Sequence, residues 1–174
     1  MRRSELEHII RASGDIAKDD EVIIIGSQAI LGQFPDAPER LLRSMETDIY
    51  PRNKPELAEM IDGAIGEGSS FHELNGYYAQ GVGPETAVLP FDWEARLVPI
   101  QNENTQGVTG LCLEVHDLAI SKLVAGRTKD VDYVQELARH KMIRRHKLLE
   151  RLSKTELSDA ERELVSARVK AIAC

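Results

Sequence analysis

Glu21-Val22-Ile23-Ile24-Ile25-Gly26-Ser27-Gln28, followed by Glu46-Thr47-Asp48-Ile49-Tyr50-Pro51, is the pair of segments on which the fold turns. In the first, Glu21 to Ile25 is a continuous apolar run of strand length, rich in β-branched residues. Such a run suits a central strand buried on both faces. Gly26-Ser27 then opens a short helical stretch over 28–31, which Gly32 and the Pro35/Pro38 segment break. The second segment alternates polar and apolar residues as a half-buried strand does, and Pro51 ends it. Because side chains on a strand alternate with period 2, Glu46 and Asp48 share one face.

Working outward, 4–18 reads as an amphipathic helix, with Leu6, Ile9, Ile10, Ser13 and Ala17 at helical spacing. Asn53 can cap a further helix with Pro55 in its first turn and an apolar face of Leu57, Met60, Ile61, Ala64 and Ile65. More strands are expected over 77–82, 86–89, 95–100 and 111–115. From Asp117 the period becomes helical. Helices are expected over 118–125, ending at Gly126, then from Thr128 or Asp130, then over 144–152. A last helix is expected from the capping box Ser158-Asp159-Ala160-Glu161 to about Ile172. The fold class is therefore α/β (α+β): a small mixed β-sheet core over 1–115 and a C-terminal helical subdomain over 116–174.

The 174 residues suit one domain with an appendage, and 42% hydrophobic with 29% charged residues excludes wholesale disorder. Two cysteines, Cys112 and Cys174, exclude a disulfide scaffold or a four-cysteine zinc site. No apolar run approaches the roughly 20 residues of a membrane span, and the N-terminus lacks the apolar stretch of a signal peptide. The chain reads as cytoplasmic, with no membrane partner. The net charge of -7 is uneven. Residues 114–174 hold 13 basic against 10 acidic residues, and the rest hold 9 against 19. The acidic body disfavours non-specific nucleic-acid binding there. The basic run from Arg139 to Lys147, with Arg151, is either an RNA-backbone contact or a solvated helix surface. No histidine pair has metal-ligand spacing, and there is no Walker-A loop or nucleophile elbow. Cys112 reads as an inert core residue. Trp93 and the Tyr77-Tyr78 pair read as packing residues, one tyrosine being able to stack on a base.

A buried strand feeding a Gly-Ser turn aims backbone N–H groups and a hydroxyl at one point, and glycine admits a ligand close to the backbone. Two carboxylates on one strand face can share an Mg²⁺, which is usually held by one or two carboxylates plus substrate phosphates. Together these elements suit a nucleotide beside a divalent ion. Here the chain resembles a known family. Ile25-Gly26-Ser27-Gln28-Ala29-Ile30 with Glu46-Thr47-Asp48-Ile49 looks like the first two motifs of the DNA polymerase β-like nucleotidyltransferase superfamily. The block from Asp117 to Asp132, with Lys122 and then Arg127-Thr128-Lys129-Asp130, resembles the later motifs of AbiEii-type nucleotidyltransferases. These include toxins of toxin–antitoxin and phage-exclusion systems.

The resemblance implies an Mg²⁺-dependent transfer of a nucleoside monophosphate from an NTP to tRNA, protein or a small molecule. It also implies a cognate toxin or antitoxin partner. Gly26 and Ser27 would hold phosphates, Glu46 and Asp48 the metal. Lys122 would contact phosphate together with Arg127, and Asp130 would orient the site. On their residues alone, Lys122 can equally be a helix-surface residue, Asp130 a helix cap, and Arg127 an ion-pair partner of Asp130 or Asp48. The chain departs from the superfamily pattern at Glu46, where aspartate is usual. A third carboxylate is expected on a later strand, with Asp92 and Glu94 as candidates. These departures favour the rival reading, a non-catalytic binding module on the same fold.

Overall fold

The structure, a computed structural model, describes residues 1–173; Cys174 lies outside the described residues. The chain runs α1 (Arg3–Ala17), β1 (Glu21–Ile24), α2 (Ile30–Gln33), β2 (Glu46–Pro51), α3 (Ala58–Ile65), α4 (Ser70–Asn75) and β3 (Tyr78–Gly81). It continues with β4 (Val98–Ile100), β5 (Thr109–Cys112), α5 (Val115–Ala125), α6 (Thr128–Arg139), α7 (Arg145–Ser153) and α8 (Asp159–Ala171), with short 3-10 turns between elements. The fold is mixed α/β, as the sequence predicts. Two units divide it: Met1–Thr86 with Leu97–Leu113, and Ala87–Arg96 with Glu114–Cys174. No helix of the described residues is long and apolar enough to cross a membrane.

The first unit is built on a five-stranded mixed sheet in the order β3-β2-β1-β5-β4. The β-branched run occupies its centre: β1 is antiparallel to β2 and parallel to β5. Val22 and Ile24 are fully buried and Ile23 nearly so. α1 places Leu6, Ile9 and Ile10 in the core. Each fully buried aliphatic side chain contributes about 1.5–3 kcal/mol. The helix lies so close to β5 that a Cβ on Gly110 would sit 2.3 Å from Ile10 Cδ1. α3 adds Ile61 and Ile65.

The second unit comprises α5 to α8 and the segment 87–96. Asp117, in the first turn of α5, is fully buried between two arginines. Arg96 donates to it from two nitrogens at 2.8 and 3.1 Å, and Arg151 Nε lies 3.0 Å away. The Phe91 N–H donates to the Lys154 carbonyl at 2.8 Å. These bonds hold 87–96 to the helices. Arg168 donates to the Leu123 carbonyl, Arg162 to those of Leu152 and Thr155, and Arg145 to that of Ile172. These are carbonyls at helix C-termini, which lack partners within the helix.

Several local expectations differ from the structure. Residues 86–89 form no strand: Pro84–Thr86 is a 3-10 turn, and the segment from Ala87 belongs to the helical unit rather than to the sheet. The strand expected over 95–100 is reduced to β4, because Trp93–Arg96 is a 3-10 turn. Met60 is 54% exposed rather than part of the α3 apolar face. α4 has no apolar period to betray it, with Leu74 exposed, although Ser69 caps it and Gly76 ends it at φ +76°. Asn53 does not cap a helix. Its backbone N–H and side-chain amide both donate to Asp19 at 2.8 Å.

That Asp19 carboxylate also accepts from the Glu21 N–H at 3.1 Å, and Lys54 donates to the Ala17 and Lys18 carbonyls. The end of α1, the start of β1 and the exit from β2 are thereby fastened together. Burial pushes the Asp19 carboxyl up, but the Asn53 side chain and the two backbone N–H groups outweigh it and hold it below its ordinary value. Asp19→Asn should cost about 1–3 kcal/mol at neutral pH, the range for a disrupted buried hydrogen-bonded group. A depressed carboxyl contributes stability above its unfolded value, near ~3.9, and loses it as pH falls through the folded value. Urea denaturation from pH 7 downward should therefore show the gap between the two proteins closing in acid; a gap that persists unchanged contradicts the role.

Candidate functional site

The site lies where β1 ends and β2 runs beside it. β2 alternates as its sequence predicts: Thr47 and Ile49 are fully buried, while Glu46 and Asp48 are half-buried on the opposite face. The Ile25 N–H donates to the Asp48 carbonyl at 3.1 Å, which fixes the end of β1 against Asp48. Gly26 follows at φ -90°, a conformation open to any residue. What requires glycine there is space: an added Cβ would lie 2.0 Å from Asp48 Oδ2. The Gly-Ser turn and the aspartate are thus in van der Waals contact.

The helical stretch after the turn is shorter than a phosphate-binding helix requires. Ser27–Ala29 is a single 3-10 turn and α2 has four residues. Its dipole is correspondingly small, and the Ala29 N–H is already bonded to the Gly26 carbonyl. What the turn offers an anion is local: a glycine that admits close approach and the Ser27 hydroxyl.

β3 completes the face. It pairs parallel with β2, setting Tyr78 beside Glu46 and Gln80 beside Asp48. The Tyr78 hydroxyl donates to Glu46 Oε2 at 3.3 Å. Burial, the carboxylates of Glu46, Glu67 and Asp48, and this hydrogen bond push the Tyr78 phenol up to about 12, so it keeps its proton as donor. His72 of α4 packs on the Tyr78 ring with centroids 4.6 Å apart. Neither the Tyr78 bond to Glu46 nor the place of Gln80 beside Asp48 is expected from the sequence.

The acid candidates Asp92 and Glu94 belong to the second unit and to no strand. Asp92 has φ +61° and Glu94 lies in the 3-10 turn Trp93–Arg96. The strand neighbouring β2 presents Gln80 instead. Among the described residues no group of three or more His, Cys, Asp or Glu side chains is placed to hold a metal. The donor set present, two carboxylates on one face, fits an Mg²⁺ that arrives with the phosphates of a nucleotide, since Mg²⁺ takes one or two carboxylates and completes its octahedron with phosphate and water.

The later candidates lie in the second unit and converge on Asp130, which is 1% exposed. Arg127 Nε donates to it at 2.6 Å and Lys122 Nζ at 3.3 Å. Burial raises the Asp130 carboxyl, but Arg127 and Lys122 reverse this and hold it below its ordinary value. Lys122 also stands over the Tyr133 ring, 4.6 Å from its centroid. Asp130 occupies the first turn of α6 and is not its cap, which is Arg127. In the basic run, Arg139 and His140 pair with Glu136, Arg145 with the Ile172 carbonyl and Arg151 with Asp117 and Glu150. Cys112 is fully buried, and burial pushes its thiol up to about 12, which makes it inert.

A family model described as "Nucleotidyltransferase of unknown function (DUF6036)" matches residues 4–171. The chain belongs to this nucleotidyltransferase family. Comparison with curated proteins and with solved structures returned no match. The matched span takes in most of both units, leaving out only residues 1–3 and 172–174.

The contact between Gly26 and Asp48 yields a direct expectation. In Gly26→Ala the backbone is unstrained, so the added methyl acts by displacing the Asp48 side chain, whose Oδ2, Cγ and Cβ would lie 2.0, 2.8 and 3.0 Å from it. Mg²⁺-dependent nucleotide binding, measured by calorimetry, should fall at least about 10-fold, the scale on which displaced or disturbed metal ligands act. The thermal midpoint should change by a few degrees at most. Unchanged binding contradicts the assignment of this turn to the site.

Proposed function

We propose that the chain is an Mg²⁺-dependent nucleotidyltransferase that moves a nucleoside monophosphate from an NTP to an acceptor. The observation that carries this is the packing of Asp48 against Gly26, with Glu46 on the same strand face. It brings a cation-binding pair and an anion-suited turn into contact. In this reading Ser27 and the Gly26 backbone receive the triphosphate, and Glu46 and Asp48 hold Mg²⁺. When bound, the ion neutralises charge on the transferring group and the departing pyrophosphate. The acceptor's nucleophile forms a bond to the α-phosphorus, and the bond from that phosphorus to the oxygen bridging to the β-phosphate breaks. The protein's own contribution is to hold the α-phosphate in line with the acceptor and to exclude competing geometries.

The family description and the strand-turn-strand arrangement support this reading. The finer expectations belong to the same proposal. The chain would act as the toxin of a toxin–antitoxin pair on RNA or protein. A specific observation favours a second reading. With Gln80 where a third carboxylate would neighbour Asp48, the fold can serve as a nucleotide-binding module without turnover.

Incubation with each of ATP, CTP, GTP and UTP, Mg²⁺ and total tRNA or cell protein separates the two. The transfer reading expects pyrophosphate release and a labelled acceptor with at least one NTP. It expects loss of both in Asp48→Asn, which removes charge at nearly constant volume. Binding without pyrophosphate release supports the module. No binding of any NTP contradicts both.

A further inference from the structure

We propose that Tyr78 is a positioning residue that holds the Glu46 carboxylate for the metal, so that glutamate at 46 and tyrosine at 78 form a matched pair. This rests on the transferase-site reading above. The parallel register places Tyr78 directly beside Glu46, and its hydroxyl reaches Oε2 at 3.3 Å. Neighbouring strands lie about 4.7–4.9 Å apart, close enough for one side chain to orient the other. An aspartate at 46 would end one methylene short of the tyrosine hydroxyl. The longer side chain is the one that can reach Tyr78, which explains in this chain's own geometry why a glutamate stands at 46.

Tyr78 is itself held in place. His72 packs against its ring, and His72 is locked by two bonds from the turn before α4. The Gly68 N–H donates to His72 Nδ1 at 3.0 Å, and the His72 N–H donates to Ser69 Oγ at 3.2 Å. The sequence from turn to histidine to tyrosine to carboxylate leaves Glu46 one oxygen, Oε1, not engaged by Tyr78. Partners of metal-binding groups that fix ligand orientation typically change metal affinity or activity by about 10–100-fold when removed.

The test is a cycle of Tyr78→Phe, Glu46→Asp and the double variant, each read by the Mg²⁺ concentration that half-saturates nucleotide binding. Tyr78→Phe keeps the ring on His72 and deletes only the hydroxyl, so a wild-type-like thermal midpoint is expected. Each single variant should raise the Mg²⁺ requirement about 10-fold. The double variant should be no worse than the poorer single, because both break one coupling. Effects that multiply, or a Tyr78→Phe protein with the wild-type Mg²⁺ requirement, overturn the positioning role and leave the transferase reading intact. A wild-type protein that binds no NTP at any Mg²⁺ concentration overturns both. If Tyr78→Phe misfolds, ¹³Cζ-tyrosine NMR of Glu46→Gln replaces it. The Tyr78 resonance should shift relative to wild type, and an unmoved resonance overturns the hydrogen bond.

Discussion

The contact between the Asp48 carboxylate and the bare Cα of Gly26 constrains everything near the site. It requires β1 to end one residue before the turn and β2 to run antiparallel beside it with Ile24 opposite Ile49. A slip of one residue would carry Glu46 and Asp48 to the buried face and Thr47 and Ile49 to the open one. The register is guarded by apolar burial, since Ile24 and Ile49 are fully buried as partners. It is guarded again by Asp19, which ties the start of β1 to the segment after β2. The hydrophobic core and one buried hydrogen-bonded carboxylate thus place a second carboxylate against a glycine.

Asp117 and Asp130 on one hand and Glu46 on the other are met in contrasting ways. In the second unit, Asp117 and Asp130 are buried and each is met by two cations, Arg96 with Arg151 and Lys122 with Arg127. Burial there is tolerated because charge is matched by charge; removing one partner would leave an uncompensated ion. In the first unit Glu46 meets a neutral hydroxyl and is only half-buried. A carboxylate oriented without being neutralised retains its attraction for a metal ion. The basic residues of the tail are engaged largely in holding that unit together: Arg139 on Glu136, Arg145 on a helix-end carbonyl and Arg151 on Asp117.

The central sheet was legible because its signals are local. A β-branched run, a Gly-Ser step and an alternating strand each lie within a few consecutive residues, and period 2 alone places Glu46 and Asp48 together. The helices after Asp117 were legible for the same reason, with Gly126 and the Ser158 box marking their limits. What was not legible depends on pairing across distance. Nothing near Tyr78 or Gln80 announces that β3 lies parallel to β2 in the register that sets them beside Glu46 and Asp48. Asp92 and Glu94 are the acidic residues before an expected strand, whereas the strand beside β2 carries an amide, Gln80. The attachment of 87–96 to the helices was hidden likewise, because it rests on Arg96 meeting Asp117 across 21 positions.

In the proposed function Glu46 and Asp48 jointly hold a divalent ion that enters with a nucleoside triphosphate. The most direct measurement is the anomalous diffraction of Mn²⁺ in crystals grown with a non-hydrolysable NTP. The account predicts a peak within ligand distance of both carboxylates, about 2.0–2.2 Å for a small divalent ion, with triphosphate oxygens in its coordination sphere. Bound nucleotide with no peak on that strand face, or a peak held by other residues, would contradict it.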